Sequence, residues 1–286
     1  MNTPTVPKPQ QKRLRAHFGF VSLPFRKNVA ANQMFDSTSQ RELLHALPMW
    51  LDIKGIALVT GPSGVGKSIT LRRFVADLPS GHYDVHHFGQ IPTTPSGFLR
   101  ALCRRLDLRT RLHGADMFDD ARAALRRWKD EHGTHPILVM DDAEGMRIGT
   151  LDLVRRLTAT ELDADDAGSI LLTGTERLLT TLRDPVLEPL RTRFSYVHAL
   201  RPFNLDDARN YIRFHLQHAG ASADLFTDGA VTALFHASGG VPRVVNQLAL
   251  QALIAAAVHG VDQVDTNAMK RVLHAHPLYS ARTKAG

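Results

Sequence analysis

The stretch from Gly55 to Thr70, read as GIALVTGPSGVGKSIT, constrains the fold of this chain more than any other. Its apolar first half predicts a β-strand over residues 56–60, and its second half matches the phosphate-binding pattern G-x-x-x-x-G-K-[ST]. In such a loop the glycines let backbone N–H groups approach phosphate oxygens, and the positive end of the following helix favours the same charge. The stretch therefore predicts a site for the phosphates of a nucleotide.

The residues of this loop have separable roles in the predicted site. Lys67 can reach the β- and γ-phosphates, and the Ser68 hydroxyl can bind Mg²⁺. The whole predicted nucleotide-binding set in the loop is Gly61, Pro62, Ser63, Gly64, Val65, Gly66, Lys67, Ser68 and Ile69.

A phosphate loop of this kind needs a second strand with an acidic end to hold Mg²⁺. The apolar run over residues 137–140 leads into Asp141 and Asp142, and its lack of alternation is typical of a strand covered on both faces. Asp141 is predicted to orient Mg²⁺, so that the metal set is Ser68 and Asp141, and Asp142 is predicted to polarise the attacking water. The alternative is a strand that ends in a solvated Asp-Asp turn.

Further catalytic candidates lie downstream of this acidic pair. Thr173, at the end of a predicted strand, can sense the γ-phosphate or position the water. The alternative is that Thr173 and Thr175 are turn residues that cap the next helix. Arg191 and Arg193 precede the last predicted strand and can present a guanidinium to the nucleotide of a neighbouring subunit. A surface salt bridge is the alternative for each arginine.

Strands alternate with helices as far as about residue 200, which predicts a parallel sheet flanked by helices. The predicted strands cover residues 56–60, 83–88, 136–140, 169–172 and 194–199. Helix N-termini are predicted at the capping residues Thr94 and Asp116. From the capping residue Asn204 onward the pattern is helical only. The fold class is therefore an α/β core with a central parallel sheet, followed by a small all-α lid.

Composition favours an anionic partner. The chain carries 35 lysines and arginines against 28 acidic residues, a net charge of +7, with a pI near 9.8, although a solvated basic surface would give the same balance. Cys103 is the only cysteine, so no intrachain disulfide is expected and a reducing, cytoplasmic setting fits. No apolar run of about 18 residues and no secretory signal are seen, so no membrane partner is expected.

The first 35 residues are predicted to extend from the core. Residues 1–16 are rich in proline and basic residues, which predicts a disordered basic arm that serves either as a solubilising tail or to bind phosphate or a partner. Phe18, Phe20, Phe25 and Phe35 are predicted to pack beside the nucleotide base. The predicted domains are the extension 1–35, the core 36–202, the lid 203–275 and a tail, 276–286, with Arg282 and Lys284.

A cluster of arginines follows Thr94. Five arginines fall within a short stretch that has Asp107 as its only acidic residue. Cations in such a cluster would neutralise the backbone phosphates of a nucleic acid without reading its bases, and a solvated helix face is the alternative. The predicted DNA-binding residues are Thr93, Thr94, Arg100, Arg104, Arg105, Arg109 and Arg111.

Together these motifs resemble those of the AAA+ ATPases, and within them the branch that contains ExeA, TnsC and MuB. The resemblance spans residues 18–273, and its most specific part is Ser238–Arg243 followed by Asn246. It implies ATP and Mg²⁺ as cofactors, an oligomer with shared active sites, arginine-finger roles for Arg191 and Arg193, and a sensor-two role for Arg243. In this family the second acid of the pair is usually glutamate, whereas here it is Asp142. The side chain of aspartate is shorter than that of glutamate, which predicts slow hydrolysis.

This branch contains secretion ATPases of ExeA type and transposition regulators of TnsC, MuB and IstB type. A compact basic chain is more similar to the transposition regulators, which select targets. The resemblance then implies an ATP-dependent ring or filament on duplex DNA, without sequence preference, that recruits a DDE-type transposase. The alternatives are a secretion-associated ATPase and a nucleotide-switched scaffold that binds a protein partner without DNA.

Overall fold

A computed structural model describes residues 8–26, 34–158 and 168–279. The first seven residues of the predicted arm, and Arg282 and Lys284 of the predicted tail, lie outside the described residues. The chain divides into two compact units. Of the described residues, those within 42–63 and 67–200 form the α/β unit, and those within 1–41, 64–66 and 201–286 form the helical unit.

The α/β unit is built on five parallel strands. They are β1 Ile56–Thr60, β2 Tyr83–Phe88, β3 His135–Met140, β4 Ser169–Gly174 and β5 Phe194–Ala199. Their order across the sheet is β2-β3-β4-β1-β5. The predicted parallel α/β sheet is confirmed, although β4 runs two residues further than its apolar run indicated and takes in Thr173.

The described helices follow the predicted alternation along the chain. In chain order they are α1 Lys8–Phe18, α2 Thr38–Ile53, α3 Lys67–Asp77, α4 Pro95–Arg105, α5 Gly114–His132, α6 Ile148–Thr158, α7 Glu176–Leu182, α8 Glu188–Arg191, α9 Leu205–His218, α10 Asp228–Ser238, α11 Pro242–His259 and α12 Thr266–Ala275.

The central strands are buried on both faces. Residues such as Leu58 of β1 and Leu138 of β3 pack with helices α4 to α8 in one apolar cluster. The alternate residues of the same strands, such as Val59 of β1 and Val139 of β3, point to the opposite face of the sheet and are also fully buried. This double coverage is why these strands read as continuous apolar runs without alternation.

Two residues, Thr94 and Asp116, are predicted to cap helices in the α/β unit, and the structure confirms the first of them. The Thr94 hydroxyl accepts a hydrogen bond from the N–H of Gly97 at 3.3 Å, so Thr94 caps α4 as predicted. The prediction that Asp116 caps α5 is wrong. The N–H of Met117 donates to the carbonyl of His113, which closes a helical turn earlier and places Asp116 in the first turn.

The helical unit contains the predicted lid helices. Asn204 caps α9 by accepting a hydrogen bond from the N–H of Asp207 at 2.7 Å, and Gly220 follows the helix with φ of +80°. Leu216, Leu234 and Leu248, from three successive helices, are fully buried in one apolar core.

The N-terminal segment also belongs to this core, and the prediction of a disordered arm is wrong for residues 8–16. These residues lie in α1, where Leu14 is 1% exposed and packs in the core of the helical unit. Arg13 and Arg15 donate to the carbonyl oxygens of Val258 and Phe20 at 3.2 and 3.1 Å. These hydrogen bonds and the burial of Leu14 stabilise a helix in a segment whose composition alone predicts disorder.

The N-terminal aromatic rings pack in the same unit. Phe20 and Phe25 are buried in its core. The ring centroid of Phe35 lies 5.5 Å from that of Tyr211 and 6.0 Å from that of Phe203. These contacts account for the burial of the rings, and their proximity to a nucleotide base stays a prediction.

Candidate nucleotide site

Three strand ends converge at one edge of the sheet. Strand β4 lies between β1 and β3, and all three run parallel, so their carboxyl ends share an edge. The phosphate loop follows β1, Asp141 follows β3, and Thr173 lies in the last part of β4. The N–H of Gly61 donates to the carbonyl of Gly174 at 3.2 Å, which joins the loop to the end of β4.

The loop has a backbone that requires glycine. Gly61, Gly64 and Gly66 have φ angles of +154°, +83° and +113°, which side chains rarely allow. Lys67 is only 6% exposed, and its Nζ donates to the carbonyl oxygens of Gly61 and Pro62 at 2.9 and 3.2 Å. The Lys67 ammonium is thus buried at the start of α3, and the three glycines place no Cβ atom in the way of a ligand. Both features suit the phosphates of a nucleotide.

The acidic pair is organised by backbone and hydroxyl donors. Asp141 is 7% exposed, and the hydroxyl of the fully buried Thr173 donates to its Oδ1. The N–H of Asp142 donates to both of these side chains, to Asp141 Oδ1 at 3.1 Å and to Thr173 Oγ1 at 3.3 Å. Asp141 is therefore held as an oriented carboxylate, which is the type of ligand that Mg²⁺ takes in nucleotide sites.

Asp142 differs from its neighbour in conformation and exposure. It has φ of +58° and ψ of +46°, in the left-handed region, and its side chain is exposed. Aspartate tolerates this region better than most other residues do. The left-handed backbone turns the N–H of Asp142 toward Asp141, so the structure gives this residue a backbone role. Its role in polarising water stays a prediction.

Two residues near this edge were missed as a pair by sequence reasoning. The Oε2 atom of Glu144 accepts a hydrogen bond from the N–H of Thr175 at 3.3 Å. Thr175 stands at the N-cap position of α7 without a side-chain cap, and its buried hydroxyl oxygen has no hydrogen-bond partner among the described residues. The proximity of Glu144 to Asp141 in sequence was the only signal available for this contact.

The two predicted finger arginines lie at the end of α8 and just after it. Arg191 is exposed, and its Nη1 donates to the carbonyl oxygens of Leu182 and Asp184 at 2.7 and 2.9 Å. Arg193 is half-buried immediately before β5. The anchored guanidinium of Arg191 has part of its donor set committed to its own subunit. The roles of both arginines toward a neighbouring subunit stay predictions.

Arg243 lies against the phosphate loop. It is the second residue of α11, and its N–H donates to the carbonyl of Gly64 at 3.2 Å. A Cβ atom on Gly64 would come within 2.7 Å of the Arg243 Cβ, so glycine at position 64 is needed for this approach. The structure thus brings together two sequence motifs that are far apart in the chain, while contact of Arg243 with a phosphate stays a prediction.

The predicted DNA-binding residues separate into two groups. Arg100, Arg104 and Arg109 are exposed on or just after α4. Arg111 forms a bidentate ion pair with Asp120, at 2.6 and 3.2 Å. Its charge is therefore largely neutralised within the chain.

The remaining members of that set also have internal contacts. The Arg105 guanidinium lies 5.7 Å from the centroid of the Phe88 ring. The carbonyl of Thr93 accepts hydrogen bonds from Arg147 N–H and the Thr150 hydroxyl at 3.2 and 2.9 Å, and the Thr94 hydroxyl oxygen caps α4. Arg105 is nevertheless exposed, as Arg100, Arg104 and Arg109 are. We call Arg100, Arg104 and Arg109, which do not lie over this ring, the α4 arginine face.

The described parts of the chain contain neither a clustered metal-ligand set nor a membrane-spanning helix. Among residues 8–26, 34–158 and 168–279, no group of three or more His, Cys, Asp and Glu side chains is arranged to hold a metal ion. In the same residues, every helix is too short or too polar to span a bilayer.

The sheet order, the glycine loop after β1 and the acidic end of β3 define a P-loop fold of the AAA+ type. Residues 52–182 match the model of a family described as an AAA domain. The chain is also similar to General secretion pathway protein A of Aeromonas hydrophila, with 29% identity over 258 residues. That match covers 86% of this chain but only 45% of the relative, so this chain spans less than half of its length.

Solved structures agree with this fold. Cdc6p from Pyrobaculum aerophilum is 16% identical with a TM-score of 0.64, and the match covers 87% of this chain and 69% of that chain. The Aeropyrum pernix ORC2 protein is 12% identical with a TM-score of 0.64, covering 88% and 71%. The Thermotoga maritima RuvB Holliday junction branch migration motor is 17% identical with a TM-score of 0.54, covering 85% and 72%. At these identities the likeness establishes the AAA+ fold alone.

Proposed function

We propose that this chain binds ATP with Mg²⁺ at the loop Gly61–Ser68 and hydrolyses the ATP slowly. The observation that carries the proposal is the convergence of the glycine loop, the buried Lys67 and the oriented Asp141 at one sheet edge. The AAA domain match over residues 52–182 supports the same assignment.

Each residue of the site has a role that follows from its position. The loop N–H groups and Lys67 bind the phosphates, Ser68 and Asp141 hold Mg²⁺, and Thr173 orients Asp141. When bound, Mg²⁺ neutralises charge on the phosphate oxygens. The exposed Asp142 has a shorter side chain than the glutamate usual in the family, which favours slow turnover.

We further propose that the ATP-bound chain assembles on duplex DNA and regulates transposition by selecting targets and recruiting a DDE-type transposase. The support is the net charge of +7 and the exposed α4 arginine face, Arg100, Arg104 and Arg109. These side chains suit contacts with backbone phosphates, which carry no sequence information. An assembled ring or filament would repeat this face along the duplex.

A second candidate function is favoured by one specific observation. The similarity to General secretion pathway protein A supports a secretion-associated ATPase, whose partner would differ from a transposase on duplex DNA. The two candidates share the ATP site and differ in what the assembled protein binds.

One experiment separates these candidates. Phosphate release from ATP is measured with and without duplex DNA, and the same samples are imaged by negative stain with a non-hydrolysable ATP analogue. The DNA proposal predicts stimulated turnover and rings or filaments on the duplex, with affinity that falls steeply as salt rises. Slow turnover that ignores DNA, without assembly on it, contradicts the transposition proposal and favours the secretion-associated function.

A further inference from the structure

The carboxylate of Glu144 makes a contact to which the proposed function assigns no role. Glu144 lies in a 3-10 turn, Ala143–Gly145, directly after Asp142. Its Oε2 accepts a hydrogen bond from the N–H of Thr175 at 3.3 Å. The contact joins the turn after β3 to the turn after β4, two segments that are separated by 31 positions in sequence.

The neighbourhood of this contact is close-packed. A Cβ atom on Gly174 would lie 3.1 Å from Glu144 Oε2 and 2.6 Å from Leu178 Cδ2. Glycine at position 174 therefore permits the turn after β3 to approach the end of β4. Glu144 is half-buried there, whereas Asp142 is exposed.

The contact is continuous with the nucleotide site. The carbonyl of Gly174 accepts a hydrogen bond from the N–H of Gly61, the first glycine of the phosphate loop. One residue earlier in the same strand, Thr173 donates its hydroxyl to Asp141. A change in the path of residues 173–175 would therefore move both the loop and the partner of Asp141.

We infer that Glu144 is a positioning residue for ATP hydrolysis. Its carboxylate holds Thr175 and Gly174 against the turn after β3, which fixes the position of Thr173 beside Asp141. Because its Oε2 accepts a hydrogen bond from a backbone N–H, we assign Glu144 to positioning, and polarisation of the attacking water stays a prediction for Asp142. This inference rests on the proposed function, because it assumes that the site hydrolyses ATP.

The test compares Glu144→Gln with Glu144→Ala in the full chain, with steady-state ATP hydrolysis as the first readout. A glutamine oxygen can still accept from the Thr175 N–H, so we expect kcat of Glu144→Gln to stay within about threefold of wild type. Alanine removes the acceptor, so we expect kcat of Glu144→Ala to fall on the order of tenfold, while the KM for ATP changes by less than about twofold.

Two results would overturn the inference. If Glu144→Gln loses as much kcat as Glu144→Ala, the ionised carboxylate itself takes part in the chemistry. If Glu144→Ala lowers the unfolding temperature but leaves kcat per folded molecule unchanged, Glu144 is a structural residue without a positioning role. Glu131→Ala, at an exposed position in α5, is the matched control for loss of a glutamate carboxylate.

A second readout does not depend on hydrolysis. Amide hydrogen exchange at Thr175 is measured in the nucleotide-free chain, because a lost acceptor lets this amide open more often. We expect faster exchange in Glu144→Ala and near wild-type exchange in Glu144→Gln. If the wild-type chain does not hydrolyse ATP, the proposed function fails and the exchange rates alone decide the contact. Equal exchange at Thr175 in all three proteins overturns the inference.

Discussion

The Thr173 hydroxyl donates a hydrogen bond to the carboxylate of Asp141, and both side chains are buried at the shared edge of β3 and β4. The N–H of Asp142 reaches the same pair of oxygens. These bonds fix the direction of the carboxylate that is proposed to hold Mg²⁺. The proposed function of the site therefore predicts a role for this hydroxyl, which the sequence alone assigned either to a sensor or to a turn residue.

Thr173→Val removes this hydroxyl while keeping the shape of the side chain. We expect ATP hydrolysis to fall between about tenfold and a hundredfold, because a misdirected carboxylate misplaces the groups around the phosphate. The loss of a buried hydrogen bond to a charged group should also cost about 1–3 kcal/mol of stability. Steady-state turnover and denaturant unfolding measure the two effects. Thr180→Val, on the exposed side of α7, is the control, and unchanged turnover in Thr173→Val would rule out the role of this bond.

Gly64→Ala tests the approach of Arg243 to the phosphate loop. The added Cβ meets the Arg243 Cβ at 2.7 Å, in addition to the strain of φ at +83°. We expect the affinity for ATP to fall by more than about tenfold, since the loop must shift to relieve the collision. Gly81→Ala is the matched control, because Gly81 has φ of +82° and no neighbour within 4 Å of an added Cβ. Equal ATP affinity for the two variants, measured by calorimetric titration, would contradict the account.

Charge reversal tests the α4 arginine face. We expect Arg100→Glu with Arg104→Glu to weaken duplex DNA binding uniformly across sequences and to reduce the slope of log affinity against log salt by about two. Fluorescence anisotropy across a salt series measures both quantities. Lys129→Glu with Lys270→Glu makes the same change in net charge at two other exposed positions. If the control pair weakens binding equally, overall charge rather than this face accounts for the binding.

The buried side chain of His215 is expected to make the stability of the folded chain depend on pH. Its side chain is 8% exposed, packed beside Phe25 and Tyr211, and burial followed by the charge of His218 lowers its pKa from 6.5 to about 4. Between these values the unfolded chain binds a proton that the folded chain does not, so stability falls as pH falls. We expect His215 to contribute a loss of about 2 kcal/mol between pH 7 and pH 5.

Thermal unfolding of wild type and His215→Phe at the two pH values measures this contribution. The variant should lose less stability on acidification, because phenylalanine fills the apolar site without titrating. His236→Gln, at an exposed position in α10, should behave like wild type. An equal loss in wild type and His215→Phe would assign the acid sensitivity to other groups.

The fold could be predicted where the determining signals are local. The loop Gly61–Ser68, the apolar run before Asp141 and the cap at Asn204 are each read within a few residues, and the structure contains a strand or a helix at each of these places. The contribution of Leu14 could not be read in this way. Its burial depends on helices of the same unit that lie far along the chain.

The candidate site likewise has residues that a local motif indicates and contacts that depend on residues elsewhere in the chain. Lys67 and Asp141 could be proposed from the sequence because each lies in a short motif whose spacing indicates its chemistry. The contact between Glu144 and Thr175 joins residues 31 positions apart, and the pairing of Arg111 with Asp120 joins a loop to a helix, so neither follows from a sequence pattern. Distant partners therefore decide which members of a predicted set are available for function.

The most direct test of the account is a calorimetric titration of Mg²⁺ and ATP into the wild-type chain and into Lys67→Ala. We predict saturable binding of one ATP per chain to the wild type. For the variant we predict at least about a hundredfold loss of affinity, because the ammonium that is proposed to contact the phosphates is removed. Wild type that binds no ATP, or that binds it as tightly without Lys67, would contradict the assignment of this loop as the nucleotide site.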